Sequence, residues 1–128
     1  VFDGDLLEPG AHVTAMGNYT PEKRELDDTT VARATYVLDL RARAGRDAGS
    51  LVAAVENGAV DEGHHHGDLG EVLVGDAPGR TSDDEVTVFD SGGTAVETVA
   101  AASLLYERAR ERGLGEQVEF APASEAME

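Results

Sequence analysis

The chain predicts an α/β fold built on a mainly parallel sheet, and three observations predict it. Short β-rich runs at residues 11–16, 35–40 and 85–90 alternate with segments whose apolar residues fall at helical spacing. Gly17, Gly58, Gly75 and Gly113 stand where these segments would stop. Hydrophobic residues make up 41% of the 128 residues and are gathered into those runs, which an acidic disordered segment would lack.

The first strand is Ala11-His12-Val13-Thr14-Ala15-Met16, entered through Pro9-Gly10 and closed by Gly17. A helix is expected from Pro21 to Ala34, with Thr20 as its N-cap, Pro21 at its first position and acidic Glu22 near the start. Thr35 to Leu40 is the second strand. Ala48 to Asn57 places Leu51, Val52 and Val55 at helical spacing before Gly58. Leu69 to Val74 reads as a short helix ended by Gly75. Glu85 to Asp90 is the third strand, with Val86 and Val88 facing one way and Thr87 and Phe89 the other. The longest helix runs from Thr94 to Arg112 and carries Val96, Val99, Ser103, Tyr106 and Arg110 on one stripe. Ala100, Ala101 and Ala102 in the same helix are small enough for close helix contact. From Gln117 to Glu128 there is no usable period, and a loose acidic tail is expected.

Composition narrows the function. Twenty-six acidic against ten basic residues give a net charge of −16, which repels nucleic acid and anionic lipid. Acidic surfaces with arginine in place of lysine keep proteins soluble where salt is molar and the Debye length is about 3 Å, so the chain reads as halophilic, of haloarchaeal type. There is no cysteine, which excludes disulfides and thiolate metal sites, and no apolar stretch has the ~20 residues of a membrane span. Val1 to Asp5 has neither the basic start nor the apolar core of a signal peptide, and a soluble cytoplasmic protein is expected.

Lys23 is the only lysine, so its position either needs a compact ammonium or is a surface accident. Three strands are few for a doubly wound domain, and the Gly-x-Gly-x-x-Gly turn that would open one is absent. The chain therefore reads as the carboxyl-terminal part of a longer protein. Ligands of open α/β sheets bind outside the carboxyl ends of the strands, where Gly17 and Asn18 become candidates for backbone contact with a cofactor. Ser91, between the third strand and the long helix, can bond a ligand or cap that helix. Gly92 and Gly93 offer close approach or positive φ, or plain turn chemistry.

These residues also carry a resemblance. Val1 to Asp5, Pro9 to Val13, Gly17 to Leu26, Leu69 to Val72, and Thr87 to Gly93 followed by Ala100 to Ala102 resemble, in order, the ornithine cyclodeaminase and mu-crystallin family. The resemblance reaches to about Gly115 and implies a homodimeric enzyme whose Rossmann domain binds NAD or NADP, with a second domain holding an amino or imino acid. It implies division of this chain into residues 1–93, part of the dinucleotide-binding domain, 94–115, a helix returning to the substrate and dimerisation domain, and 116–128, the tail. Lys23 matches a position that contacts the dinucleotide, and Ser91 matches a serine bonded to the nicotinamide carboxamide. With Gly17 and Asn18 they form the expected cofactor set, while Tyr19 and Gly92 are expected to face substrate. The family's glycine fingerprint, substrate-binding arginine and catalytic lysine have no counterpart here, so no catalytic residue is assigned.

Tyr19 departs from the pattern. Ornithine cyclodeaminases carry an aspartate there as proton donor and acceptor, and a phenol with ordinary pKa of about 10 is a poor base near neutrality. The expectation is thus a fragment of an NAD(P)-dependent oxidoreductase acting on a C–N bond, of alanine dehydrogenase or ketimine reductase type, with cyclodeamination, non-enzymatic cofactor binding or an inert truncated product as alternatives. Three adjacent histidines, His64 to His66, seldom converge on one metal and are expected in a polar loop. Asp27-Asp28 and Asp83-Asp84-Glu85 lack calcium-loop spacing and are expected on a solvated acidic face, leaving no metal site.

Overall fold

The structure, a computed structural model, describes residues 2–118 and divides into two compact units, Val1–Thr94 and Ala95–Glu128. Most of the expected tail, from residue 119 onward, lies outside the described residues.

The first unit is a four-stranded, wholly parallel sheet in the order β1-β4-β2-β3, formed by β1 (His12–Ala15), β2 (Thr35–Leu38), β3 (His65–Asp68) and β4 (Thr87–Asp90). Between them run α1 (Asp28–Arg33), α2 (Gly49–Glu56) and α3 (Leu69–Val74). Ala15 of β1 and Leu38 of β2 are both in register with Asp90 of β4, so three neighbouring strands end level. The period-2 expectation holds where the core needs it: Tyr36, Leu38, Val88 and Asp90 are buried, while Thr35, Val37, Thr87 and Phe89 are half-buried. Leu26, Val31, Ala48, Leu51 and Ala54 pack with Tyr36, Leu38 and Val88 as one core.

Three expectations are corrected. The helix of residues 21–34 is confined to Asp28–Arg33, because Asp27, not Thr20, is the N-cap: its carboxylate accepts from Thr30 N at 2.8 Å. Residues 20–23 instead close a turn through Lys23 N to Thr20 O, 3.1 Å. Asp27 also accepts from Gly4 N at 2.8 Å, so it is half-buried structure and not part of a solvated acidic face. The third correction is a strand: His65 and His66 lie in β3, not in a loop. Its ladder with β2 uses backbone groups, which a His-His-Gly-Asp sequence supplies as well as a β-branched one, so side-chain patterning is blind to it. The Leu69–Val74 helix begins with a reciprocal capping box between Asp68 and Glu71 and ends on Gly75 at φ +86, a left-handed cap suited to glycine.

The second unit holds α4 (Ala95–Glu111), within a residue of its expected span, with Gly113 just beyond it. None of its residues is buried, and Val96, Val99 and Tyr106 of the expected stripe are exposed. The Arg110 guanidinium lies 5.6 Å from the Tyr106 ring centre.

The carboxyl edge of the sheet as candidate functional site

The edge rests on a buried polar hub. Asp90, at the end of central strand β4, accepts from the Tyr36 hydroxyl and, at 2.7 Å, from Asn18 Nδ2. Its other oxygen faces Arg43 Nη1 at 3.3 Å, and Arg43 also pairs with Asp39 and Asp47, each at 2.8 Å. Asn18, Tyr36, Asp39, Arg43 and Asp90 are all buried. Burial pushes the Asp90 carboxyl up, and its bonds from Tyr36, Asn18 and Arg43 oppose that rise. Burial, then the charge of Asp90, pushes the Tyr36 phenol up, which keeps it a neutral donor. Asp39 is also raised by burial, but Arg43 and the Gly92 and Leu40 amides outweigh it and hold the carboxyl below its usual range.

Above the hub sits the turn that leaves β4. Ser91 N donates to Ala15 O at 2.9 Å, tying the turn to the end of β1. Gly92 N and Gly93 N both donate to Asp39 Oδ2, at 2.7 and 2.9 Å. A Cβ on Gly92 would overlap the Arg43 guanidinium, and Gly93 stands at φ +78 with open space around it. The close approach expected at Gly92 is therefore to Arg43, and the positive φ is at Gly93.

The end of β1 is organised differently. Met16 N and Gly17 N both donate to Glu25 Oε2, each at 2.6 Å, and the Glu25 side chain lies over Gly17. Asn18 turns inward: its carbonyl accepts from Gly49 N at 3.1 Å, while its Oδ1 is buried without a hydrogen-bond partner. Tyr19 and Lys23 remain exposed, with Lys23 Nζ donating to the Tyr19 hydroxyl at 3.2 Å and lying 4.6 Å from the ring centre.

The fold thus gathers Gly17, Asn18, Tyr19, Lys23, Ser91 and Gly92 at the ends of two paired strands, with Asn18 contributing its side chain to the hub beneath. The donor set has a definite character. The amides of Met16, Gly17, Gly92 and Gly93 are committed to carboxylates, and Glu25, Asp39 and Asp90 make the ground beneath negative. A diphosphate would be repelled, whereas a neutral, hydroxyl-rich group suits the Lys23 ammonium and the Ser91 hydroxyl. Sequence reasoning missed Glu25, Asp39 and Arg43. The i,i+4 spacing Asp39-Arg43-Asp47 was a visible signal for ion pairing, but its burial was not. Among the described residues no group of three His, Asp or Glu side chains is placed to hold a metal, and His64 Nε2 donates to Val31 O at 2.7 Å.

The family model for ornithine cyclodeaminase/mu-crystallin matches residues 1–113. A Δ1-pyrroline-2-carboxylate reductase of Bacillus cereus is 41% identical over 115 residues, covering 89% of this chain and 35% of its own length. An alanine dehydrogenase of Archaeoglobus fulgidus is 36% identical over 120 residues, covering 94% and 37%. The structure of Thermococcus litoralis Δ1-pyrroline-2-carboxylate reductase in complex with NADH and L-proline superposes with a TM-score of 0.77 at 35% identity, over 90% of this chain and 36% of that one. The chain spans about a third of the length of the curated relatives it matches.

Proposed function

Since this chain belongs to the ornithine cyclodeaminase/mu-crystallin family, we propose that it supplies the carboxyl-terminal half of the dinucleotide-binding domain of an NAD(P)-dependent oxidoreductase acting on a C–N bond. Residues 1–93 are the domain portion, 94–115 the helix leading to a substrate and dimerisation domain, and 116–128 an acidic tail. The observation that carries the reading is the pairing of two strand ends, Gly17–Lys23 beside Ser91–Gly93, joined by the Ser91 N to Ala15 O bond at the edge where such sheets take ligands. Similarity to a pyrroline-carboxylate reductase and an alanine dehydrogenase supports reduction of a cyclic ketimine or of pyruvate with ammonium.

In this reading the cofactor's nicotinamide supplies or takes up the hydride. Lys23 donates to a ribose hydroxyl, the Ser91 hydroxyl orients the carboxamide, and Gly17 borders the nicotinamide half once the Glu25 side chain that lies over it gives way. Tyr19 and Gly92 border the amino or imino acid. The committed amides and surrounding carboxylates support assigning the nicotinamide and its ribose, not the diphosphate, to this edge. NADP is as compatible as NAD, and the intact enzyme is a homodimer, cytoplasmic and halophilic, of haloarchaeal type.

Cyclodeamination is the second reading, since it belongs to the same family, and Tyr19 disfavours it. The phenol sits exposed against Lys23, where a cyclodeaminase needs a carboxylate to shuttle protons. The test uses the full-length enzyme. Pyruvate with ammonium, or a cyclic ketimine, is expected to consume NADH or NADPH, and ornithine with NAD is expected to yield little proline. Proline as the main product, formed faster than reductive turnover, would replace the oxidoreductase with a cyclodeaminase. The 128-residue chain alone is expected to give no turnover, and NADH consumption by it would refute the division of labour proposed here.

A further inference from the structure

We propose that Asp39, fixed by Arg43, is a positioning residue for the dinucleotide: it holds the turn Ser91–Gly93 in the shape that presents the Ser91 hydroxyl at the carboxyl edge. The inference rests on the cofactor reading above. Asp39 follows β2 and is buried, and all its oxygen capacity is spent inward. Oδ1 accepts from Leu40 N and Arg43 Nη1, both at 2.8 Å, and Oδ2 accepts from Gly92 N at 2.7 Å and Gly93 N at 2.9 Å. It therefore acts on a ligand only through the turn.

That arrangement exceeds what folding alone requires. Gly93 is exposed, so water at this edge can satisfy its amide without a buried charge, which is costly to desolvate. A Gly-Gly turn loses more conformational freedom on ordering than any other pair of residues. Two charge-assisted bonds from below, the Arg43 guanidinium against Gly92 and the Ser91 tie to β1 fix it before any ligand arrives. Ordering a loop in advance removes that cost from binding, which is how a residue without ligand contact raises affinity. Arg43 completes the device by keeping Asp39 ionised, while its own second and third partners, Asp47 and Asp90, hold it in place.

The experiment compares the full-length enzyme with Asp39→Asn, which keeps shape and one acceptor, by NADH fluorescence titration and steady-state kinetics. Dinucleotide affinity is expected to fall about tenfold, with KM for the dinucleotide rising more than kcat falls. In a Ser91→Ala background the same substitution is expected to cost little more, because both changes remove one interaction. Glu85→Gln, which weakens the bonds of a carboxylate to Thr35 and Thr81 at the opposite, amino end of β2 and β4, is the control and is expected to lower stability with affinity unchanged. Should Asp39→Asn not fold, Gly92→Ala displaces the turn from Arg43 without altering a buried charge and is expected to show the same non-additive loss with Ser91→Ala. Unchanged affinity in a folded variant, or losses that add to that of Ser91→Ala, would overturn the proposal. If the unsubstituted enzyme binds neither NADH nor NADPH, the cofactor reading falls and takes this inference with it.

Discussion

The ends of β1 and β4 lie side by side in the same sheet, but they are held in different ways. The end of β4 is anchored from beneath by a buried hub of two carboxylates, a guanidinium, a phenol and an amide. Beyond Asn18, the end of β1 is a surface loop in which Glu25 caps the amides of Met16 and Gly17 and Lys23 rests on exposed Tyr19. The difference teaches that one side of the candidate site is held by buried charges and the other by bonds made at the surface. A rigid turn suits a group that must be oriented, and an exposed ammonium on a four-carbon stem suits one that need only be gripped.

The comparison is broken hardest by removing the guanidinium. Arg43→Ala leaves the carboxylates of Asp39 and Asp90 buried without their cation, and the cost is expected to be about 3–5 kcal/mol in unfolding free energy. Urea denaturation checks it. Adding Asp90→Asn to that variant is expected to recover part of the loss, since it deletes one of the stranded charges. A cost under about 1 kcal/mol for Arg43→Ala would mean that water reaches the hub and that the β4 end is no more rigid than its neighbour.

Why the sequence disclosed one end better than the other follows from the same chemistry. Gly17 and Lys23 stand out as residue types, a glycine after a β-rich run and a lone lysine, so their place at the β1 end was legible, whereas Glu25 and the turn at residues 20–23 were not. The alternation of Val86 and Val88 with Thr87 and Phe89 likewise disclosed the two faces of the strand that contains them. The hub was not legible, because Asp39, Arg43 and Asp90 look like ordinary surface charges in a chain with 26 acidic residues, and only tertiary packing sets three of them inside. Asp27 was hidden in the same way, as one acid among many until its bonds to Gly4 and Thr30 are seen. Strand β3 escaped because its pairing is made by backbone and its side chains carry no period.

A smaller effect separates local bonds from the global charge. Hydrogen bonds from the Thr35 hydroxyl and the Thr81 amide pull the Glu85 carboxyl down to about 2. The Thr30 hydroxyl and the Gly4 and Thr30 amides outweigh burial and hold Asp27 below its usual range. Groups with a depressed folded pKa contribute stability that is present above their unfolded values, 4.5 for Glu85 and 3.8 for Asp27, and lost as pH falls through the folded ones. Protonation also relieves repulsion among the 16 surplus negative charges, which acts in the opposite direction until salt screens it. Melting temperature is therefore expected to rise from dilute buffer to molar KCl near neutral pH. In molar KCl it is expected to fall between about pH 5 and pH 2, less steeply for Glu85→Gln. A flat salt response would remove the halophilic reading, and an unchanged acid slope in Glu85→Gln would show that its bonds contribute nothing in solution.

The smallest effect on folding is expected at Lys23, and it separates the two ends most clearly. Its partners are the exposed Tyr19 hydroxyl and ring, so neither burial nor an orphaned charge is at stake when it is truncated. Surface changes of this kind stay within about 0.5 kcal/mol, and Lys23→Ala is expected to leave the urea midpoint of the chain in place. In the full-length protein, on the proposed cofactor reading, the same change would delete a charged donor to the ribose, and dinucleotide binding is expected to weaken by about 1–3 kcal/mol in calorimetry. Lys23→Arg is expected to restore only part of that, because a planar fork does not reproduce a compact ammonium over the Tyr19 ring. If cofactor affinity is unchanged in Lys23→Ala, the lone lysine is a surface residue and the grip on the dinucleotide at this edge belongs to the β4 turn alone.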